Sequence, residues 1–457
     1  MNDIQISKTD TLIKLKEKLS FFVVNFGNIP IMTLISGFLL IFYTDVIGLD
    51  PGAIAIIFLI TRIIDAFNDP LMGYLVDHLP KTKWGRFRPY IVLGCIICAV
   101  NYVVLWVGPA LAPSGQLIIV FISYLFLGIT FDLMDIPLNS MIPVMSETGK
   151  IRDNLSLIKS LGYTFGGIVF YVITVPVVSS FATPKIGYSV LIVSTSIFVV
   201  LASFLGTLGI RERIEPIKKE KYNVKEFFKV LSAKPVFTHF LSSLMSSISS
   251  GATTAAILYF LTYVIGMPEL IGFFAIALVI GTLIGLGLGK PILNKYGKKY
   301  TIVAGSFIGN IPLFFILLVE PSNLLVLFLI YTISGIGGGF GMIVGYGLQA
   351  DNTDYIDWKQ GNRTEAAIAS LVSFVNKAGL GIGAALVGFI LAISGYIPNV
   401  PQLPSAIQGI YWAFIILPAL LGLISGLIIL FFYPLTKELN LKIALELNER
   451  RNQNTKM

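Results

Sequence analysis

Apolar runs long enough to cross a bilayer recur twelve times along this chain, and no other feature narrows its fold as far. A helix rises about 1.5 Å per residue, so roughly 20 residues cross the roughly 30 Å of hydrocarbon. The runs lie at about 20–45, 51–77, 89–110, 115–145, 154–180, 187–210, 236–265, 268–289, 300–319, 323–350, 364–395 and 405–434. They do not alternate as barrel strands do and are too long for them. Helices then satisfy every backbone group within the lipid. Composition agrees, with 55% hydrophobic and only 13% charged residues in the 457, against about 25% charged in soluble domains. The expected fold class is all-α integral membrane, with twelve transmembrane helices.

The formal charge of +8 could point to nucleic acid, so the placement of the positive residues decides its meaning. With both termini cytoplasmic, 29 of the 33 lysines and arginines fall in inside segments. Of the rest, Lys185 lies in an outside loop and Arg62, Lys159 and Lys377 lie within spans. That asymmetry is a topology signal. It predicts a multi-pass protein of the cell membrane with both ends inside, and no nucleic-acid partner. The first 19 residues are polar and lysine-rich, unlike a cleavable leader.

The charged segment 211–234 divides six spans from six, giving a bundle over 1–210, a linker, a second bundle over 235–434 and a tail over 435–457. Each half repeats a short element after its second span, GYLVDHLPKTKWGRFRP at 73–89 and GKPILNKYGKKYT at 289–301. In each a glycine ends the helix and a basic loop follows with a further Gly–Arg or Gly–Lys pair. This is weak internal symmetry of the kind two related bundles carry, and it resembles the loop signature of the major facilitator superfamily. The glycine strings at 335–347 and 379–388 have no preceding strand and no phosphate-binding lysine, so they read as close helix packing. Cys95 and Cys98 form a CxxC in mid-span and read as small packing residues.

Charges deep in the spans occur on four helices only. Arg62, Asp65 and Asp69 lie on the second, Asp132 and Asp135 on the fourth, Lys159 on the fifth and Lys377 on the eleventh. The i, i+3, i+7 spacing puts the first three on one helix face, and Asp132 with Asp135 share a face at i, i+3. Asn68 adds an amide, and Pro70 frees a carbonyl one turn earlier. Oxygen clusters of this sort suit a hard cation or a proton. Four buried carboxylates against three buried cations leave one negative charge uncompensated, which one Na⁺, Li⁺ or H⁺ would balance. Structural ion pairing alone would leave the charges matched.

Ordered motifs then resemble one family, the glycoside–pentoside–hexuronide:cation symporters of the major facilitator superfamily. They are FYTDVIGLD at 42–50, RIIDAFNDPLMGYLVD with KWGRFRP, MDIPLNSMIP at 134–143, QADNTDYID at 349–357 and NKAG at 376–379. The resemblance covers nearly the whole chain and implies two pseudo-symmetric six-helix bundles. It implies a cation site at Asp65, Asn68 and Asp69, sugar recognition by Asp135, and a lysine close to both sites at Lys377. The family's galactoside carriers have a second sugar-binding aspartate on the first helix, where this chain has Ile29 beside Asn28. Their tryptophan one turn after the fourth-helix aspartate is Asn139 here, a threonine near their cation is Asp132, and their fifth-helix arginine falls at Ser160 beside Lys159. Galactoside specificity is therefore not carried over, and the choice between Na⁺ and H⁺ stays open.

These readings predict a sugar:cation symporter that works by alternating access, with no enzymatic activity and no cofactor beyond the coupling cation. The cation site is expected at Asp65, Asn68, Asp69 and Asp132, with Asp65 and Asp69 as ligands if the ion is Na⁺. The sugar is expected at Asp135, Asn139, Asn28 and Lys377. Arg62 and Lys159 complete a charge network, with Lys159 a candidate partner of Asp132. Asp77, Arg86, Asp351 and Asp354 are expected to close the cytoplasmic side. The partners are a small sugar, a monovalent cation and the bilayer, and a monomer suffices. The rival readings are a cation-linked lysolipid or amphiphile carrier and a non-transporting membrane sensor. The short loops weigh against the first, and the tail of some 20 residues is too short for a signalling domain.

Overall fold

The computed structural model describes residues 13–77, 80–146, 149–213, 230–361 and 365–454. Among them ten continuous helices are long and apolar enough to cross a membrane. One of these, Pro268–Leu318, is 51 residues long and leaves helical geometry at Gly297, with φ 80° and ψ 177°, so it contains two crossings. The helix Pro51–Asp77 supplies 27 residues more. The described helices thus account for the twelve expected spans.

By internal contacts the chain forms two compact units. One takes the chain through Leu49 and resumes at Ile63. The other takes Asp50–Arg62 and the chain from the seventh span onward. The division therefore runs through α2 (Pro51–Asp77) as well as the linker.

The first unit holds α1 (Leu15–Ile41), the later part of α2, α3 (Arg88–Leu111), α4 (Gln116–Met145), α5 (Gly149–Ser179) and α6 (Pro184–Gly209). Helices in lipid gain little from hydrophobic contrast, so small residues at crossings decide how closely they pack. Gly162 and Gly166 of α5 lie against the backbone and side chains of Phe26, Asn25 and Ile29 on α1. Gly94 of α3 lies against the backbone of Leu133 on α4. A Cβ at any of these would meet the neighbouring helix. α3 and α6 turn apolar stripes outward, Leu93, Ile96, Val100 and Val104 on one and Val190, Val193, Ile197 and Leu201 on the other. Cys95 and Cys98 are buried free thiols.

The second unit holds Asp50–Arg62 and α7 (Lys234–Phe260), α8 (Ile271–Asn310), α9 (Leu324–Gln360), α10 (Glu365–Ile393), α11 (Pro404–Tyr411), α12 (Leu417–Phe432) and α13 (Lys437–Asn454). The glycine string of α9 seats it between the two arms of α8. Gly335 and Gly339 pack on the backbone of the first arm around Gly281 and Gly285, and Gly337 packs on Gly305 and Gly309 of the second.

The repeat seen in sequence extends to backbone geometry. Gly85 and Gly297, each preceding the basic residue of its loop, both hold positive φ, at 113° and 80°. A second repeat joins the two halves at the ends of their first helices. α1 ends in a widened π-helical turn, Phe42–Ile47, closed by Gly48 at φ 83°, and α7 ends in another, Leu261–Ile265, closed by Gly266 at φ 80°. The closing hydrogen bonds match, Leu49 N–H to Tyr43 O and Met267 N–H to Leu261 O, both 2.9 Å. The strings behind them, YTDVIG and LTYVIG, differ at two positions of six.

Candidate functional site

The Asp135 cluster joins three helices of the first unit. Asp135 Oδ1 accepts from Tyr163 Oη on α5 at 3.0 Å and from Asn28 Nδ2 on α1 at 3.3 Å. Asp135 Oδ2 accepts from Asn139 Nδ2, one turn along α4, at 2.7 Å. Asn139 Oδ1 in turn accepts from Lys159 Nζ, and that ammonium lies 5.1 Å from the centroid of the Tyr163 ring. The glycine crossing at Gly162 and Gly166 brackets Tyr163 and brings it to α1. Asn28 is 1% exposed, and its Oδ1 has no donor among the described residues. A buried carbonyl oxygen of this kind is costly unless something supplies a hydrogen bond. The cluster therefore offers hydroxyl groups both acceptors and donors. Among the described residues Lys159 bonds Asn139 and makes no ion pair with Asp132, the partner expected from the sequence.

The carboxylate of Asp65 lies directly over Gly128 on α4, where any Cβ would collide with it. Asp65 and Asp132 are 7% and 1% exposed, so two acids are buried on facing helices. Asp132 follows Gly128 by one turn, and α3 closes over this segment at Gly94. Asn68 is half-buried, and its Nδ2 has no acceptor among the described residues. The side chain of Asp69 lies outside the described residues, as does that of Asp77. Among the described residues no set of three or more His, Cys, Asp or Glu is grouped for a resident metal.

In the second unit, Gly381 of α10 faces the aliphatic part and Nε of Arg62. Lys377 precedes Gly381 by one turn on α10, the stretch that Arg62 of α2 lies against. Asn376, beside Lys377, accepts from Ser247 Oγ at 3.0 Å. The α7 serines do not all share one surface. Ser242 donates to Ser425 O at 3.1 Å and Ser249 to Pro418 O at 2.7 Å, fastening α7 to the α12 segment. His239 is buried, with Nδ1 2.9 Å from Asn352 Nδ2, and Tyr433 Oη donates to Asn352 Oδ1 at 3.0 Å.

Of the residues expected at the cytoplasmic closure, Arg86 lies in a turn held by Glu212. The Glu212 carboxylate accepts from the backbone N–H groups of Arg86, Phe87 and Arg88 at 2.7, 2.9 and 3.1 Å. Asp351 pairs with Lys298 at 2.5 Å and accepts from Asn440 of α13 at 2.6 Å. Asp354 is half-buried one turn further on. Reasoning from sequence missed Tyr163, Gly128 and Glu212. Tyr163 had a usable signal, its i+4 spacing from Lys159.

A family model described as MFS/sugar transport protein matches residues 21–437. The "Uncharacterized symporter YjmB" of Bacillus subtilis (strain 168) is 29% identical over 453 residues, covering 98% of both chains. A "Glucuronide carrier protein homolog" of Escherichia coli (strain K12) is 28% identical over 91% of each. An "Isoprimeverose transporter" of Lactiplantibacillus pentosus is 26% identical over 97% of this chain and 93% of its own. Among solved structures, the nucleoside transporter NupG shares the fold with a TM-score of 0.65 at 12% identity, over 92% of this chain and 99% of that one. The helices, the repeated loops and a family match over nearly the whole length agree: the chain belongs to the MFS/sugar transport family, and it is a multi-pass membrane transporter and not an enzyme.

Proposed function

We propose that the protein is a secondary active sugar transporter of the cell membrane that couples one sugar to a monovalent cation, Na⁺, Li⁺ or H⁺, by alternating access. One observation carries the reading. Gly128, which seats Asp65, and Asp135, which anchors the cluster with Asn28, Tyr163 and Asn139, lie seven residues apart on α4. That is about two helical turns. A cation held by Asp65, Asn68 and Asp69, with Asp132 nearby, neutralises the acids on α2 and sets the position of α4. The same helix presents Asp135 to the sugar, so each ligand raises the affinity for the other, as linkage requires. Asp77 with Arg86, and Asp351 with Asp354, serve the cytoplasmic closure, and both chain ends lie in the cytoplasm. The relatives named for a glucuronide and for isoprimeverose support a glycoside as cargo.

The test is initial uptake of a labelled glycoside panel into proteoliposomes under an imposed Na⁺ gradient and then a proton gradient. One of the two gradients is expected to drive accumulation. Asp65→Cys should abolish that accumulation while exchange of sugar across the membrane persists. Accumulation at the wild-type level in Asp65→Cys would remove the cation assignment.

A further inference from the structure

Lys159 lies within the span Asn154–Ser179, yet among the described residues it makes no ion pair with any carboxylate. Its ammonium is held by the Asn139 carbonyl oxygen and faces the Tyr163 ring. An ammonium in a spanning helix is costly and ordinarily sits against an acid. The acid of this cluster is nearby but otherwise engaged. Asp135 accepts from Asn28, Tyr163 and Asn139, all of them neutral donors. Asn139 stands between the two charges, giving Nδ2 to Asp135 and Oδ1 to Lys159. With both ends of the amide engaged, its orientation is fixed. The carboxylate and the ammonium are thereby kept one side chain apart and do not neutralise each other by contact.

Such spacing suits a ligand that meets the two charges with two different substituents. Sugar hydroxyls can donate to Asp135, and the orphan Asn28 Oδ1 can accept one more. Lys159 has three N–H donors, of which the Asn139 contact uses one. A neutral glycoside brings nothing of opposite charge to it. A lysine kept only to neutralise Asp135 would contact that carboxylate directly, and among the described residues it does not. We propose, on the reading that this cluster is the sugar site, that Lys159 selects sugars bearing one anionic substituent, a carboxylate or a sulfonate, over the neutral sugar of the same stereochemistry.

The experiment uses the full-length protein in proteoliposomes and matched ligand pairs. These are 4-nitrophenyl β-D-glucuronide against the glucoside, the galacturonide against the galactoside, and a 6-deoxy-6-sulfoglucoside as the sulfonate arm. Binding is read by calorimetry and by competition against uptake. For at least one stereochemistry the anionic member is expected to bind about ten- to hundredfold tighter than the neutral one, the range for a hydrogen bond to a charged group. Lys159→Gln should collapse that ratio, and Lys159→Arg should keep most of it. The neutral member, measured in the same variants, separates lost selectivity from lost folding. The uronide and sulfonate arms tell the two anions apart. A wild type that binds the neutral members as well or better, or a ratio unchanged in Lys159→Gln, overturns the proposal and leaves the sugar reading standing. Binding of no sugar of either kind overturns both.

Discussion

Asp135 meets three side chains from three helices, and this governs how it can meet a ligand. A carboxylate has about four acceptor positions, so little is left for a new donor unless a resident one yields. What the residents supply is orientation. Removing the hydroxyl in Tyr163→Phe takes away one hydrogen bond to a charged acceptor and releases Asp135 from α5. Sugar affinity is expected to fall about tenfold, the lower part of the range for such bonds. Cation affinity measured without sugar should hold, because Tyr163 contacts neither Asp65 nor Gly128. Isothermal titration of the variant with each ligand checks both halves of the expectation. Asp135, Asn139 and Lys159 were legible in the sequence because charges and amides stand out in apolar spans. Tyr163 and Gly128 were not. An aromatic residue in a membrane helix reads as lipid-facing or core, and a glycine reads as packing, so neither advertises the carboxylate it serves.

Helix pairs here are set by glycines that face backbone. The α8–α9 contact is the extreme case, since Gly335, Gly337 and Gly339 each meet main-chain atoms of α8 and not yielding side-chain tips. Gly337→Leu should therefore push α9 off Gly305 and Gly309 and destabilise the unit by about 1–3 kcal/mol, the usual cost of overpacking. A lower thermal midpoint of the detergent-solubilised protein checks this. The existence of these helices was plain from apolar length alone, and the packing role of the glycine strings was plain from the missing strand and lysine. The tightness of the turn between spans eight and nine was not visible. A GKK sequence after a helix signals a stop, and the chain instead turns through a single left-handed residue and resumes at once.

At the scale of each unit, the chain leaving its last span returns to brace the basic loop between the second and third. In the first unit Glu212 caps the start of α3, and Arg88 Nε donates to Thr207 O at 2.9 Å. In the second, Lys437 donates to Asn294 O at 2.6 Å, and Lys299 to Tyr433 O at 2.7 Å. The two braces use opposite charges at equivalent places. Glu212 meets the free N–H groups at a helix start, and Lys437 a carbonyl near a helix end, as the helix dipole favours. Glu212 could not be picked out in sequence because it stands among basic residues in a segment that reads as solvated. Glu212→Ala leaves three backbone donors without their acceptor, at about 1–3 kcal/mol. Tryptic cleavage at Lys81 and Lys83 should quicken, and the thermal midpoint should drop.

Cys95 and Cys98 are the chain's entire thiol inventory, and both are fully buried, with Cys95 Sγ 3.4 Å from Val199 O. Reagents dissolved in water have no native sulfur to find. A cysteine placed at Trp84 or Arg86, outside both ligand sites, becomes the one reactive address on an otherwise unaltered molecule. Labelling rates at such positions, with and without cation or sugar, would then report the opening and closing of each surface directly.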